Sequence, residues 1–331
     1  MAVNLIQEFL FQRIKELLPS NDCLADVISD SLYISQDSAY RRIRGETPLV
    51  LEEAKILCDK FQISLDQLLH SQPDTIVFKS ITVSGENGSF VQFLSGLLDQ
   101  MKVLARAKDK QIIYLSKELI IFHHFCFKPL FAFQYLFWMK TVLGNNDLKM
   151  EYSVDLLTPE LMEVCTELME MYNQIPSIEI INSESINSTI AQIEYYRDAG
   201  VFRNDDDVQE VYNSLEEMVR HLRKEAEAGC KFIPGENPSF KKKNYQLYFN
   251  RVGLADNTIL SLEDGRRVVY LNYEALNLMV TTDENFCNKT EDKLHTIIRQ
   301  STLLSDFNEK QRNIFFNTLL RKIPKRQKQN I

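Results

Sequence analysis

Residues 28–45, ISDSLYISQDSAYRRIRG, contain two short segments with helical spacing and a break between them. In the first segment Ile28 and Leu32 lie about one helical turn apart, which suits a helix that packs against a neighbour. After a two-residue turn, Ser35 is a favourable N-cap for a second helix, and Gly45 is well placed to end it. The stretch therefore predicts two short helices joined by a tight turn.

The second of these helices concentrates positive charge in an acidic chain. Three arginines lie within residues 41–44, whereas the 331-residue chain has a formal net charge of −8. Residues 1–70 themselves carry seven Lys and Arg against eleven Asp and Glu. A short helix with basic and polar side chains fits the DNA major groove, about 12 Å wide, where Arg pairs with guanine and Gln with adenine. We expect any contact with DNA to be confined to this helix, since an acidic protein gains little from non-specific attraction.

The order of motifs over residues 1–70 resembles the phage-repressor/Cro type of helix-turn-helix domain, a family with five helices. The matching elements are Ile28-Ser29, Leu32, Ile34-Ser35-Gln36, Ser38, Arg44-Gly45 and FQISLDQLL at 61–69. SAYRRIRGET at 38–47 is also similar to helix-turn-helix regulators of Bacteroidetes-type bacteria. Two positions depart from the family pattern. Tyr33 stands where the family usually has a glycine in the turn, and Arg42 stands where it usually has an apolar residue.

The resemblance implies which side chains contact DNA. It implies base contacts for Gln36, Asp37 and Arg41. Phosphate contacts are implied for Ser38 and Arg44. The departure at Arg42 leaves open whether Arg41 or Arg42 faces the groove. The candidates for DNA contact are Gln36, Asp37, Ser38, Arg41, Arg42 and Arg44. The alternative is that this helix is only a solvated basic face in a structural bundle.

The rest of the chain predicts a mixed fold class. We expect an all-α five-helix domain over 1–70, a linker over 71–80, and a larger, helix-rich α+β region over 81–331 with a sub-boundary near 230–244. Helices are predicted over 88–108, 128–143, 159–173 and 205–228, with Glu263-Asp264-Gly265 as a hairpin turn. Strands are predicted over 111–116, 177–182, 245–250, 257–262 and 266–272.

Other candidate chemistry is weak in this sequence. His123-His124 has no third or fourth ligand at zinc-like spacing, so satisfied or partly buried histidines in an aromatic core are the favoured interpretation. There is no glycine loop for a phosphate and no nucleophile elbow. The aromatic stretch over 111–140 favours core packing or a dimer interface over a ligand pocket. We therefore expect no catalytic residue, no metal and no cofactor.

The compartment is predicted from three patterns. The first eighteen residues mix charged with apolar side chains and are not typical of a signal peptide. The most hydrophobic stretch, 119–139, is interrupted by charged and polar residues and falls short of a membrane span. The six cysteines are scattered without a CxxC pair, which is typical of reduced thiols. We expect a cytoplasmic protein without a membrane partner.

These patterns together predict a bacterial transcriptional regulator, not an enzyme, that binds double-stranded DNA. Residues 81–331 would sense a small-molecule or protein effector, form a homodimer through helices 88–108 and 128–143, or do both. The alternative is an enzyme of unknown class in 81–331 whose helix-turn-helix serves DNA targeting or autoregulation. A cluster of polar residues in one pocket would favour the enzyme. An apolar pocket or a large symmetric interface would favour the regulator.

Overall fold

The computed structural model divides the chain into two compact units, Met1–Phe78 and Lys79–Ile331. It describes residues 5–19, 22–61, 63, 65, 76–83, 89–142, 150–238, 243–252, 257–273 and 276–324. Half of the predicted linker (71–75) and nearly all of the predicted fifth helix of the first unit lie outside these residues. The two units are described separately below.

The first unit packs its helices around one small apolar core. Leu10, Ile14, Ile28, Ala39 and Leu57 are all buried in it. Each comes from the apolar face of its helix, so helical periodicity alone brings them together. The helices are α1 (Leu5–Leu17), α2 (Leu24–Leu32), α3 (Gln36–Ile43) and α4 (Leu51–Phe61).

The connection between α2 and α3 is a tight turn centred on a left-handed residue. Tyr33 has φ 53° and ψ 43°, and its backbone N–H donates to the Ser29 carbonyl. The Ser29 hydroxyl donates to the Ile34 carbonyl at 2.6 Å. Ser35 then caps α3 by accepting from the Ser38 N–H at 3.3 Å. The predicted cap at Ser35 is confirmed, and the turn takes the conformation that normally favours glycine.

The second unit is built on one mixed sheet. Among the described residues the sheet has eight strands, in the order β1-β7-β6-β5-β2-β3-β4-β8. Strands β2, β3 and β4 pair in parallel, and the other pairs are antiparallel. The mixed fold class is confirmed, while the parallel centre was not predicted. The strands are β1 (Lys79–Ile81), β2 (Lys110–Leu115), β3 (Ser177–Ile181), β4 (Tyr245–Phe249), β5 (Thr258–Glu263), β6 (Arg266–Asn272), β7 (Leu278–Thr281) and β8 (Thr302–Leu303).

Helices cover both faces of this sheet. They are α5 (Ser89–Arg106), α6 (Lys128–Phe137), α7 (Pro159–Gln174), α8 (Asn187–Asp198), α9 (Asp205–Ala228), α10 (Glu284–Arg299) and α11 (Glu309–Lys322). Helix α10 packs on one face against Ile113, Ile180 and Val269. The other helices pack on the opposite face, which carries Tyr114 and Leu247. Because successive side chains of each strand point to opposite faces, the sheet separates one apolar core from the other.

Several local predictions can be compared with this unit. The hairpin turn between β5 and β6 is confirmed, with positive φ at both Asp264 (46°) and Gly265 (87°). The predicted sub-boundary near 230–244 falls between α9 and β4. Because β4 pairs with β3 in the same sheet, the segments on both sides of it belong to one unit. Helix α6 buries Leu130, Phe131 and Phe133 completely, so this predicted dimer helix packs within its own chain.

Two further properties concern the chain as described. None of the described helices is both long and apolar enough to cross a membrane. All six cysteines lie in described segments, and none of them forms a disulfide bond.

Candidate functional site

Four of the six predicted DNA-contacting residues are exposed on or beside α3. The Gln36 amide donates to Asp26 at 2.6 Å. Arg41 lies 3.3 Å from Asp37, with side chains 58% and 74% exposed. Arg44, just after the helix, lies 2.9 Å from Glu46. Exposed pairs of this kind contribute at most about 1 kcal/mol, so these side chains can exchange their partners for a ligand at small cost.

Arg42 differs from Arg41 because it points toward α4. Its guanidinium makes two bonds to Glu53, from Nε to Oε2 at 3.0 Å and from NH2 to Oε1 at 2.8 Å. The side chains of this pair are only 16% and 17% exposed. The hydrogen bonds from Arg42 hold the pKa of Glu53 below its usual value. Arg42 thus joins α3 to α4, whereas Arg41 extends into solvent.

Ser38 and Gln7 act on the position of α3 from its two ends. Ser38 is half-buried. Its N–H donates to the Ser35 hydroxyl oxygen, and the Ser35 hydroxyl donates to Ser38 Oγ at 3.0 Å. Gln7, buried in α1, donates to the carbonyls of Arg42 at 2.7 Å and Thr47 at 2.9 Å. The sequence prediction did not include Gln7. Its signal is a polar residue at core spacing, four residues before the buried Phe11.

A second polar site lies inside the sheet unit, centred on the carboxylate of Glu179. This residue is in the middle of β3 and is completely buried. It accepts hydrogen bonds from His123 Nε2 at 2.9 Å, from the Tyr245 hydroxyl at 2.8 Å and from the Tyr172 hydroxyl. Three donors on one buried carboxylate offset most of the cost of removing it from water.

The pKa shifts of the buried pair favour the charged form of each partner. Burial by itself would raise the pKa of Glu179, but the contacts with His123 and Tyr172 outweigh it and lower that pKa. Burial would likewise lower the pKa of His123, but Glu179 and Glu225 outweigh it and raise that pKa. A carboxylate and an imidazolium therefore stabilise each other in the core.

Two more charged side chains complete this group. The Lys231 ammonium donates to the carbonyls of Tyr172 at 2.5 Å and Ile175 at 3.0 Å, and it lies 3.5 Å above the Tyr172 ring. Glu225 of α9 accepts from the Phe232 N–H at 3.0 Å through Oε1. Its Oε2 lies 3.6 Å from His123 Nδ1. We call His123, Tyr172, Glu179, Glu225, Lys231 and Tyr245 the Glu179 cluster.

The Glu179 cluster borders a small pocket with a cavity volume of about 20 Å³. Aromatic rings make up much of its wall, with His123 and Glu225 as polar contributors. The lining residues are Phe122, His123, Cys126, Phe127, Met169, Tyr172, Asn173, His221, Glu225, Phe232 and Pro234. Because one water molecule needs about 10–15 Å³, this pocket has room for one or two water molecules.

The sequence analysis predicted part of this region only. Its preference for histidines in an aromatic core is confirmed as to burial, since His124 is 4% exposed and its Nδ1 bonds to the Ile120 carbonyl at 3.2 Å. His124 Nε2 has no hydrogen-bond partner among the described residues. In the described part of the chain no group of three or more His, Cys, Asp and Glu side chains could hold a metal ion. The acidic members of the cluster were missed. A lone Glu in the apolar run SIEII at 177–181 was the available signal.

Comparisons with known proteins add no further constraint: no family model, curated protein or solved structure matches this chain.

Proposed function

We propose that the chain is a sequence-specific DNA-binding transcriptional regulator of a bacterial cytoplasm, with α3 as the helix that enters the major groove. The observation that carries the proposal is the division of labour on α3. One face of the helix is exposed and carries Gln36, Asp37 and Arg41. The opposite face is fixed by the bonds that Arg42 and Gln7 make. A short helix held rigidly from behind, with polar side chains at its N-terminal end, suits base contact.

The exposed side chains have distinct roles in this proposal. Arg41 pairs with a guanine, Gln36 with an adenine, and Asp37 accepts from a cytosine amino group. Arg44 and Ser38 contact phosphates, which fixes the position of the helix without selecting a sequence. Arg42 serves as a positioning residue through Glu53. On binding, Arg41 releases Asp37 and Arg44 releases Glu46, and each arginine contacts DNA instead.

The proposal includes a homodimer held by residues 81–331. A single short helix covers only a few base pairs, and the acidic composition of 1–70 provides little non-specific attraction. Two linked copies make the second contact intramolecular and raise the apparent affinity. A two-fold dimer would bind half-sites whose centres are about 10 base pairs, or a multiple of that, apart.

Selection of binding sites from a genomic fragment library, with the purified 331-residue chain, tests the function. We expect an enriched palindromic motif, and the Arg41→Ala variant should enrich a motif in which one base pair of each half-site is no longer specified. Sedimentation equilibrium of the same protein tests the dimer. No enriched motif at low salt would contradict DNA recognition. A monomer that binds one half-site tightly would contradict the dimer.

A second candidate function, an enzyme in 81–331, is favoured by one observation, the polar side chains that border the pocket. Against it, the Glu179 carboxylate is already bonded by three donors and is poorly suited to accept a substrate proton. NMR spectra of a bacterial metabolite extract incubated with the purified chain distinguish the two functions. Chemical conversion of a metabolite would support the enzyme, and an unchanged extract would count against it.

A further inference from the structure

The side chain of Gln7 in α1 bonds to three backbone groups that lie far along the chain. Its amide nitrogen donates to the carbonyls of Arg42 at 2.7 Å and Thr47 at 2.9 Å. Its amide oxygen accepts from the Leu49 N–H at 2.9 Å. Gln7 is only 5% exposed, and both ends of its amide are bonded, so the contact is a fixed one. The bonds of Gln7 therefore reach beyond α3 into the connection between α3 and α4.

The part of this connection that Gln7 holds is a tight turn at residues 44–47. Gly45 has φ 73°, and its N–H donates to the Arg42 carbonyl at 3.0 Å. The two carbonyls that accept from Gln7, at Arg42 and Thr47, lie on either side of this turn. Gln7 thus ties both ends of the turn to α1.

Arg44 depends on this turn for its direction. It follows the last residue of α3, and 57% of its side chain is exposed. It pairs with Glu46, which belongs to the same turn. A solvated pair within one turn is weak and cannot fix the guanidinium relative to the rest of the unit. The backbone of the turn therefore sets where the Arg44 guanidinium lies.

Arg41 and Gln36 are held in a different way. Both lie inside α3, where the helical backbone bonds fix their positions. The Ser35 cap supports the start of this helix, and the bonds from Arg42 to Glu53 join it to α4. The first unit thus has separate supports for the residues proposed to contact bases and for the residue proposed to contact a phosphate.

We propose that Gln7 is a positioning residue for the phosphate contact of Arg44 and takes no part in the choice of bases. This inference rests on the proposed DNA binding and assigns a role within it. With Gln7 in place, the turn holds the Arg44 guanidinium ready before DNA arrives. Without Gln7, DNA has to order the turn as it binds, and that ordering reduces the affinity.

Gln7→Met keeps the length of the side chain and removes all three hydrogen bonds. Fluorescence anisotropy of the 331-residue chain, at several salt concentrations, measures its effect on DNA binding. The affinity for all sequences should fall about two- to fivefold, the range expected for an exposed ion pair. The slope of log affinity against log salt should decrease by about one unit, with the base preference unchanged. In the Arg44→Ala background, Gln7→Met should cause no further loss, because the two residues act on one contact.

Hydrogen exchange of the chain without DNA gives a second measurement. The Gly45 and Glu46 amides should exchange faster in Gln7→Met, while the amides within α3 keep their rates. Gln12→Met makes the same substitution at an exposed position of α1 and should change neither the exchange nor the DNA binding. Should Gln7→Met fail to fold, Gln7→Asn keeps an amide that is one methylene too short for all three bonds and should give the same changes.

Three results would overturn this role and leave the DNA-binding proposal in place. The first is an equal loss of affinity from Gln7→Met with and without Arg44. The second is a relaxed preference at any base pair in Gln7→Met, which would show that Gln7 positions α3 itself. The third is unchanged exchange of the Gly45 and Glu46 amides. A wild-type chain that binds no DNA would instead overturn the proposed function and this role together.

Discussion

The exposed face of α3 and the Glu179 cluster both hold charged side chains next to groups of opposite charge. On α3 the pairs are solvated, as the 58% exposure of Arg41 shows. In the cluster, Glu179 is completely buried and bonds to donors from three different segments of the chain. Solvated pairs can separate at little cost, whereas a buried carboxylate cannot lose its donors cheaply. The comparison associates the first region with binding and the second with stability.

The largest effect should follow from removing the centre of the cluster. Glu179→Ala leaves His123, Tyr172 and Tyr245 without their acceptor, and it leaves Glu225 as the one carboxylate of the cluster beside His123 and Lys231. Breaking a buried charged pair in this way costs about 3–5 kcal/mol of unfolding free energy. Urea unfolding followed by fluorescence measures it. Trp138, the single tryptophan of the chain, is buried in this unit and reports its unfolding alone.

The exposed Glu227 on α9 provides the control for that experiment. Glu227→Ala removes a carboxylate that lies at the surface and should change the stability by no more than about 0.5 kcal/mol. A loss below about 1 kcal/mol for Glu179→Ala would mean that the cluster is not a stabilising centre. The buried charges of the cluster would then contribute as little to stability as the exposed pairs on α3.

The two regions also differ in how well a sequence reveals them. The cap at Ser35, the tight turn and the exposed face of α3 depend on residues within about ten positions of one another, so local spacing predicts them. The bonds of Glu179 join it to His123, 56 residues earlier, and to Tyr245, 66 residues later. No local pattern encodes such pairings. For the same reason single strands such as β5 and β6 were predicted, while the parallel order of β2, β3 and β4 was not.

The next largest effect concerns DNA. Arg41→Ala should weaken binding to the selected site by about 1–3 kcal/mol and relax the preference at one base pair. Gln36→Ala should do the same at a different base pair. Lys55→Ala is a control, since Lys55 is also an exposed cation in an ion pair but lies on α4, where it pairs with Asp59 at 2.8 Å. Fluorescence anisotropy on the selected site and on single-base variants measures these changes.

Arg44→Ala distinguishes phosphate contact from base contact. It should weaken binding to all sequences alike and reduce the slope of log affinity against log salt by about one unit. If Arg41→Ala gives this same uniform loss, α3 is not the helix that distinguishes bases. The exposed face of α3 would then be a solvated basic surface.

The pH dependence of stability should reveal the buried pair. His123 has a pKa raised above 6.5 in the folded chain, so its contribution is complete below that value and is lost as pH rises through the folded pKa. Glu179 has a pKa lowered below 4.5, so its contribution is present above that value and is lost as pH falls through the folded pKa. Stability followed by Trp138 should therefore be greatest between the two folded pKa values.

A pair of histidine variants tests the alkaline side of that profile. His123→Gln should remove the loss of stability above the folded histidine pKa, whatever its effect on stability at a single pH. His295→Gln changes a histidine that is 44% exposed and should leave the profile unchanged. An alkaline loss that persists in His123→Gln would show that another group titrates there.

The smallest effect lies in the turn before α3. Tyr33 is 95% exposed, so its ring contributes little packing, yet its φ of 53° places it in a conformation that costs an L-residue about 1–2 kcal/mol. Glycine avoids that cost but loses about 0.5–1 kcal/mol of chain entropy, so Tyr33→Gly should stabilise the turn by about 0.5–1 kcal/mol. Tyr33→Ala keeps the Cβ atom and should give no gain in stability.

Hydrogen exchange of the Ile34 amide, which donates to the Ser29 carbonyl at 3.1 Å, measures the stability of the turn locally. Slower exchange in Tyr33→Gly alone, with DNA affinity unchanged, would show that Tyr33 is a strained turn residue and not a contact residue. Loss of DNA affinity in both variants would add its ring to the DNA-contacting face.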